Sequence, residues 1–277
     1  MMQDQYPARI HVLLARDSQD AVVIRRGPSK QVCFIGWNRR TDTFEPTQWL
    51  KGRIYERRSD LSPDGRYLIY FAMNGRWDSE AKGAWTAISR SPWMKAIALF
   101  AKGDCWHGGG LFLDRRTYWL NDRCGHQILR QTSEVRASTT YIPEANYGGE
   151  CPGVYYLRLQ RDGWEIKDIQ NIDHWNKTFV FEKQLPKDWI LRKRAHAQTD
   201  SPVGKGCYWD EHLLISRSGE ILEHPDWEWA DWDQKRILWA TGGCLYACSI
   251  KSGSGLAEPQ LLYDCNDLEF REIEAPY

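Results

Sequence analysis

Two Cys-x-His pairs, Cys105-Trp106-His107 and Cys124-Gly125-His126, bring together the residue types that hold zinc as a tetrahedral Cys₂His₂ set. On strands, positions i and i+2 face the same way, so each pair could converge; the interval between the pairs is not that of a known finger or ribbon. Buried small cysteines and ordinary polar histidines are the reading preferred over a metal site. Cys244 and Cys248 lie on a strand-like run, one face about 13 Å apart, too far for a shared ion or a disulfide. A cysteine nucleophile needs a base within hydrogen-bond reach; Cys151 sits in a loop-like setting with no such signature around it and is read as a core or loop thiol. Paired-carboxylate hydrolysis would draw on Asp60, Asp104, Asp210, Glu211, Glu228 or Asp231 meeting from different parts of the fold. The decapeptide HPDWEWADWD, His224 to Asp233, concentrates three tryptophans and four acids. Its alternation places Asp226 and Glu228 on one face and Trp227 and Trp229 on the other, as a half-buried strand demands. Trp232 breaks that parity, which predicts a bend or bulge near Ala230-Asp231. His224, Asp226 and Glu228 are left as binding candidates.

The elements that must position these residues read as short strands. Ile10–Leu14, Ala21–Ile24, Val32–Trp37, Tyr67–Ala72, Lys95–Phe100, Val154–Leu159, Thr178–Phe181, Leu213–Ser216, Arg236–Ala240, Leu245–Ile250 and Gln260–Tyr263 are β-branched, aromatic or aliphatic and bounded by turn residues. No apolar stripe of helical period persists for three turns, so one or two helical turns at most are expected. Ser62-Pro63-Asp64-Gly65, Arg161-Asp162-Gly163, Arg217-Ser218-Gly219 and Thr241-Gly242-Gly243 carry the residues of hairpin turns. A glycine lead-in followed by an aromatic-rich strand starts at Gly108, Gly148, Gly204 and Gly242, at intervals of about 40 to 55 residues, the period of four-stranded blades. Ser59–Ala72 and Ala230–Ala240 also align as Asp, apolar residue, polar turn, basic residue and hydrophobic strand. By that equivalence Asp60 and Asp231 are expected to accept backbone N–H groups.

Leu61–Ala72, LSPDGRYLIYFA, resembles the turn-and-strand of WD-like bacterial propeller repeats of the Tol type. The resemblance covers about a dozen residues; the second copy lacks the Pro-Asp-Gly. It implies an all-β fold, a single β-propeller of five or six four-stranded antiparallel blades over residues 1–277, in which the strand after the turn packs between neighbouring blades. Ile10–Leu14 and Leu268–Ile273 are expected to share the closing blade.

Composition narrows the function. Lysine plus arginine and aspartate plus glutamate number 37 each, so no net field favours nucleic acid or an anionic membrane. The basic run Lys187–Arg194, KDWILRKR, is read as a solvated strand end. No glycine-rich run precedes a helix, so a phosphate cradle and a nucleotide cofactor are not expected. The eight cysteines form no paired framework, and the N-terminal stretch has no signal-peptide pattern, so reduced thiols and a cytoplasmic setting are expected. Fifteen tryptophans and thirteen tyrosines suit the seams of packed sheets and also recognition surfaces. The segment 164–203, with Trp175 and Trp189, is the expected docking insertion. The leading expectation is a non-catalytic module that binds a protein partner, without cofactor, nucleic acid or membrane; the alternative is a propeller hydrolase acting on a glycan or ester.

Overall fold

The computed structural model describes residues 6–28, 30–123, 125–173, 176–251 and 255–277. It is all-β, with 49% of the described residues in strands and 5% in helix. Among the described residues the strands form five separate sheets, of four, five, three, five and four strands. Two of the five thus match the expected four-stranded form. The chain divides into two compact units, one built from His11–Arg158 and Leu268–Tyr277, the other from Pro7–Ile10 and Leu159–Asp267.

The first meander, in chain order, is β1 (Arg9–Leu14), of which His11–Leu14 belong to the first unit, then β2 (Asp20–Arg26), β3 (Gln31–Asn38) and β4 (Thr43–Lys51). The second sheet uses β5 (Arg53–Leu61), β6 (Tyr67–Met73), β7 (Ala84–Arg90) and β8 (Ala96–Ala101). The third follows with β9 (Gly110–Phe112) and β10 (Thr117–Leu120), while β11 (Gln127–Arg130) returns to the edge of the second beside β8. The two-residue β12 (Arg136–Ala137) pairs parallel to β10. Strand β6 explains the layering. Leu68, Tyr70 and Ala72 pack with Leu13, Val22, Ile24 and Phe34 of the first sheet, whereas Tyr67 and Ile69 pack with Phe112, Tyr118 and Val135. Alternate residues therefore fill two cores, and the run after the Ser-Pro-Asp-Gly turn is buried on both faces.

That turn is built as its residues dictate. Ser62 Oγ donates to Asp64 at 2.7 Å and accepts the Tyr67 N–H at 2.9 Å. Gly65 has φ +76°, and a Cβ there would lie 2.7 Å from Asp20 Cβ, so only glycine fits.

The run Val154–Leu159 is helical, not a strand: α1 spans Cys151–Arg161, three turns. Residues 151–159 are all buried, so no polar face interrupts the helix to create a 3.6-residue stripe. Its tyrosines and valine also favour strands locally. Gly163, φ +86°, is the left-handed cap: its N–H reaches the Gln160 carbonyl at 3.1 Å and the Trp164 N–H reaches Leu159 at 2.9 Å. Arg161-Asp162-Gly163 is accordingly a helix end and not a hairpin.

The second unit holds β13 (Glu165–Asn171), β14 (Lys177–Gln184), β15 (Ile190–Ala197), β16 (Tyr208–Ile215) and β17 (Ile221–His224) in one meander, with a short 3₁₀ turn at Pro186–Asp188. A second meander has β18 (Trp229–Asp233), β19 (Arg236–Thr241), β20 (Cys244–Ser249) and β21 (Gln260–Asp264). Segment 164–203 is thus mostly sheet. The pairing of β18 with β19 runs without a register shift, so no bulge occurs at Ala230-Asp231. Its two-residue loop, with Gln234 at φ +56°, joins the first strand of that sheet to the second, as the Ser-Pro-Asp-Gly turn joins β5 to β6.

Leu268–Ile273 forms no strand, and β1 pairs with β2, so the two terminal runs do not share a ladder. Side chains hold the C-terminal segment instead. Phe270 lies on Trp49 and Lys51, and the Tyr277 hydroxyl donates to the Lys95 carbonyl at 2.6 Å and accepts the Arg90 N–H at 3.0 Å.

Candidate functional site

The zinc reading lacks its geometry. No group of three metal-binding side chains forms among the described residues, so Cys105, His107 and His126 do not converge; Cys124 lies outside the described residues. His126 has a different task. The Asp122 carboxylate only accepts, so His126 Nδ1 carries the ring proton and donates to it at 2.7 Å. Nε2 of the neutral ring then accepts from the Thr86 hydroxyl at 3.2 Å, which itself accepts the Gly109 N–H at 2.8 Å. Burial holds the His126 pKa below its ordinary value despite Asp122.

The tryptophan-rich decapeptide buries Trp227, Trp229, Ala230 and Asp233 and leaves the rest half-buried or exposed. Trp227 and Trp229 are buried while Asp226 is exposed and Glu228 half-buried, the alternation its sequence implies. His224 stacks on Trp227 at 3.8 Å, Trp227 on Trp239 at 4.7 Å and Trp239 on Tyr246 at 5.6 Å, a continuous four-ring column. Glu228 accepts the Ile10 N–H at 3.2 Å within the second unit. Trp189 is a core residue, 2% exposed, with its indole N–H sealed away from any partner molecule; Trp175 lies outside the described residues. The basic run is not uniformly solvated either. Lys193 is buried, donates to His212 at 3.0 Å, lies 3.7 Å from Asp210 and caps the Trp164 ring at 4.8 Å.

The other candidate carboxylates also have partners. Asp60 accepts the Phe112 N–H at 2.7 Å, and Asp231 accepts the Trp232 N–H at 2.7 Å and pairs with Lys183 at 2.5 Å. Glu211 pairs with His196 at 3.3 Å. Burial acts to raise the Asp104 pKa, but the 2.7 Å bond from Lys102 and the Trp106 N–H outweigh it, and the carboxyl ionises more readily than usual.

The strongest built arrangement begins at β5. Tyr55 opposes Phe71 and Asp60 opposes Ile69, so residues 56–59 stand against the single residue Tyr70 and leave the ladder. Such a bulge frees backbone carbonyls inside the protein, and each must find a donor. Arg158, buried on α1, donates to the carbonyls of Glu56 and Ser59 and to His11 Nε2 at 2.7 Å. Glu56 is paired with Arg26 at 3.1 Å and Arg57 at 3.4 Å. Arg58 turns the other way, between the Tyr55 and Phe71 rings at 4.9 and 5.0 Å. Its Nη1 donates to the carbonyls of Cys105 at 2.7 Å and His107 at 2.6 Å. Cys151, also buried beside Arg58, has its pKa raised by desolvation, which makes it an inert thiol and not a nucleophile.

The two carbonyls that Arg58 grips flank Trp106, which is 59% exposed. The same loop is fixed by Asp104 accepting the Trp106 N–H at 2.8 Å, by Gly109 on Thr86, and by Gly108 and Asn121. At the same end of the sheet, the β6–β7 loop shows Trp77, 53% exposed, with one indole face laid on Gly83. Cys105 Sγ meets Met73 Sδ at 3.3 Å and Lys82 covers Gly103, so the two loops support each other. Sequence reasoning placed Trp106 only as the middle of a Cys-x-His pair and did not single out Trp77.

No family model matches the chain, and no curated protein does. Five solved chains match. One is the Kuenenia stuttgartiensis hydrazine synthase, 11% identical, covering 90% of this chain and 78% of that one at TM-score 0.30. Another is the uncharacterized protein lmo1340 of Listeria monocytogenes EGD-e, 11% identical, covering 96% and 85% at TM-score 0.32. No helix of the described residues is long and apolar enough to cross a membrane.

Proposed function

We propose that the protein is a non-catalytic binding module of the WD-like propeller type, its sheets serving as the blades of a single domain, working in the cytoplasm without a cofactor. It recognises a protein partner through the loop end that displays Trp77 and Trp106. The observation that carries this reading is the grip of Arg58 on both sides of Trp106. Exposed indoles on mobile loops lose affinity to ordering; an indole whose flanking carbonyls are held by a buried guanidinium has met that cost during folding. Tryptophan is the residue most enriched among interface hot spots, and two at one end of a sheet suit a pocketed protein surface.

The test is quantitative capture from the source cell with the wild-type chain and a Trp77→Ala, Trp106→Ala double variant, with Ile142→Ala as the exposed apolar control. A set of proteins retained by wild type and by Ile142→Ala but lost by the double variant is expected. Identical sets from all three chains would refute the reading.

A further inference from the structure

At the opposite end of β6 from the two exposed tryptophans, three hairpin tips enclose a concavity of about 760 Å³. Five of its ten lining residues are arginines: Arg16, Arg66, Arg115, Arg116 and Arg136. The β1–β2 tip supplies Arg16, the Ser-Pro-Asp-Gly tip Arg66, the β9–β10 tip Arg115 and Arg116, and β12 Arg136. Backbone bonds lock the tips together. The Asp17 N–H donates to the Pro63 carbonyl at 2.7 Å, and the Arg136 N–H to the Arg116 carbonyl at 2.8 Å. Arg16 reaches across to the Phe112 carbonyl at 3.4 Å.

Three aspartates share the wall, which leaves a formal excess of two positive charges. Two of these carboxylates are held in place within their own turns. Asp64 accepts the Ser62 hydroxyl at 2.7 Å and the Arg66 N–H at 3.3 Å, and Asp114 accepts the N–H groups of Arg116 and Thr117 at 2.7 and 2.6 Å. Asp17 pairs loosely with Arg115 at 3.6 Å. The guanidiniums of Arg66 and Arg116, both exposed, have no hydrogen-bond or ion-pair partner among the described residues. Planar forks held on rigid tips without a hydrogen-bonded acceptor are suited to carboxylates or phosphates.

The rest of the wall decides between them. Pro63 and Leu113 are its apolar members, so no aromatic ring is present to stack a base. The interspersed aspartates repel a dense run of phosphates, and they can accept from a ligand that carries donors as well as anions. A polypeptide has both: side-chain carboxylates for Arg66 and Arg116, and amide N–H groups for the aspartates. We infer that this concavity binds an acidic peptide segment of a protein, with Asp or Glu side chains docking on Arg66 and Arg116. The site is separate from the tryptophan end, and its occupant need not be the same partner.

A fluorescein-labelled hexaglutamate peptide, titrated by anisotropy against the full chain, tests this directly. Binding is expected, weakening steadily between low and physiological salt because exposed charges are screened over about 8 Å at the latter. The Arg66→Ala, Arg116→Ala double variant should bind about tenfold more weakly. Arg9→Ala, also an exposed arginine but outside the concavity, should bind as wild type does. Both sets of substitutions are at exposed positions, and equal melting temperatures show that folding is intact. The inference is overturned if hexaglutamate does not bind, if the double variant binds it unchanged, or if tripolyphosphate or a single-stranded oligonucleotide displaces it at lower concentration than unlabelled hexaglutamate.

Discussion

Replacing Arg58 by methionine isolates the guanidinium from the packing around it. Methionine keeps an unbranched stem between the Tyr55 and Phe71 rings and removes the two bonds to the Cys105 and His107 carbonyls, 2.7 and 2.6 Å long. Each hydrogen bond from a charged donor is worth roughly 1.5–3 kcal/mol. Against that sum stands the relief of no longer burying a charge, since Arg58 is only 1% exposed. The net expectation is a loss of about 2–4 kcal/mol. For a chain of this size that lowers the melting temperature by about 5–15 °C. Urea unfolding followed by circular dichroism measures the stability, and amide hydrogen exchange across residues 103–109 reports the loop itself. Arg58→Lys should fall between, because an ammonium can donate to both carbonyls but lacks the flat guanidinium faces that lie between the Tyr55 and Phe71 rings. Should Arg58→Met unfold within about 0.5 kcal/mol of wild type, the energetic argument fails. Should it be destabilised while exchange at 103–109 stays at wild-type rates, the claim that Arg58 holds Trp106 in place fails.

Two further outcomes follow from the same structure. Gly109→Ala places a Cβ 1.9 Å from the Arg58 carbonyl at φ +73°, whereas Gly219→Ala at φ +83° meets nothing within 4 Å. The second should cost about 1–2 kcal/mol of backbone strain and the first several more, read from urea midpoints; equal losses would refute the packing account. Burial lowers the pKa of His107, His126, His196 and His224, so each is held neutral in the folded chain below its unfolded value of about 6.5. The unfolded state then binds more protons as the pH drops, so stability is fully present above about pH 6.5 and declines below it, before carboxylates titrate near pH 4. His224→Phe, which keeps the ring on Trp227 and removes a buried Nε2 without a partner, should show a shallower decline. A urea midpoint unchanged between pH 7 and pH 5 would contradict this.

The elements legible in the sequence were those whose residues answer to one local rule. The Ser-Pro-Asp-Gly hairpin was readable because its serine, aspartate and glycine each have a defined place in the turn, and β6 because it is apolar throughout. Strand β19 and the hairpin before it were readable by analogy with that pair. Helix α1 was hidden because burial on every side removes the stripe by which helices are recognised, and its residues 154–159 suit strands equally well. The bulge in β5 was hidden for the opposite reason: Glu56-Arg57-Arg58-Ser59 looks like a solvated charge run, and only the contacts of Arg58 and Arg158 reveal four inward residues. The predicted bend at Ala230-Asp231 failed because Trp232 is half-buried, so strict alternation never applied there. Exposure of Trp77 and Trp106 could not be read locally, since every other described tryptophan is buried or half-buried and nothing in their neighbours' identities separates them.

The column formed by His224, Trp227, Trp239 and Tyr246 crosses from the end of β17 to β19 and β20, between two sheets that share no ladder. Ladders resist sliding because each hydrogen bond has one partner; ring faces resist being pressed together or pulled apart but have no register to defend. Under mechanical load this join should behave as a lubricated bearing, stiff in compression and compliant in shear.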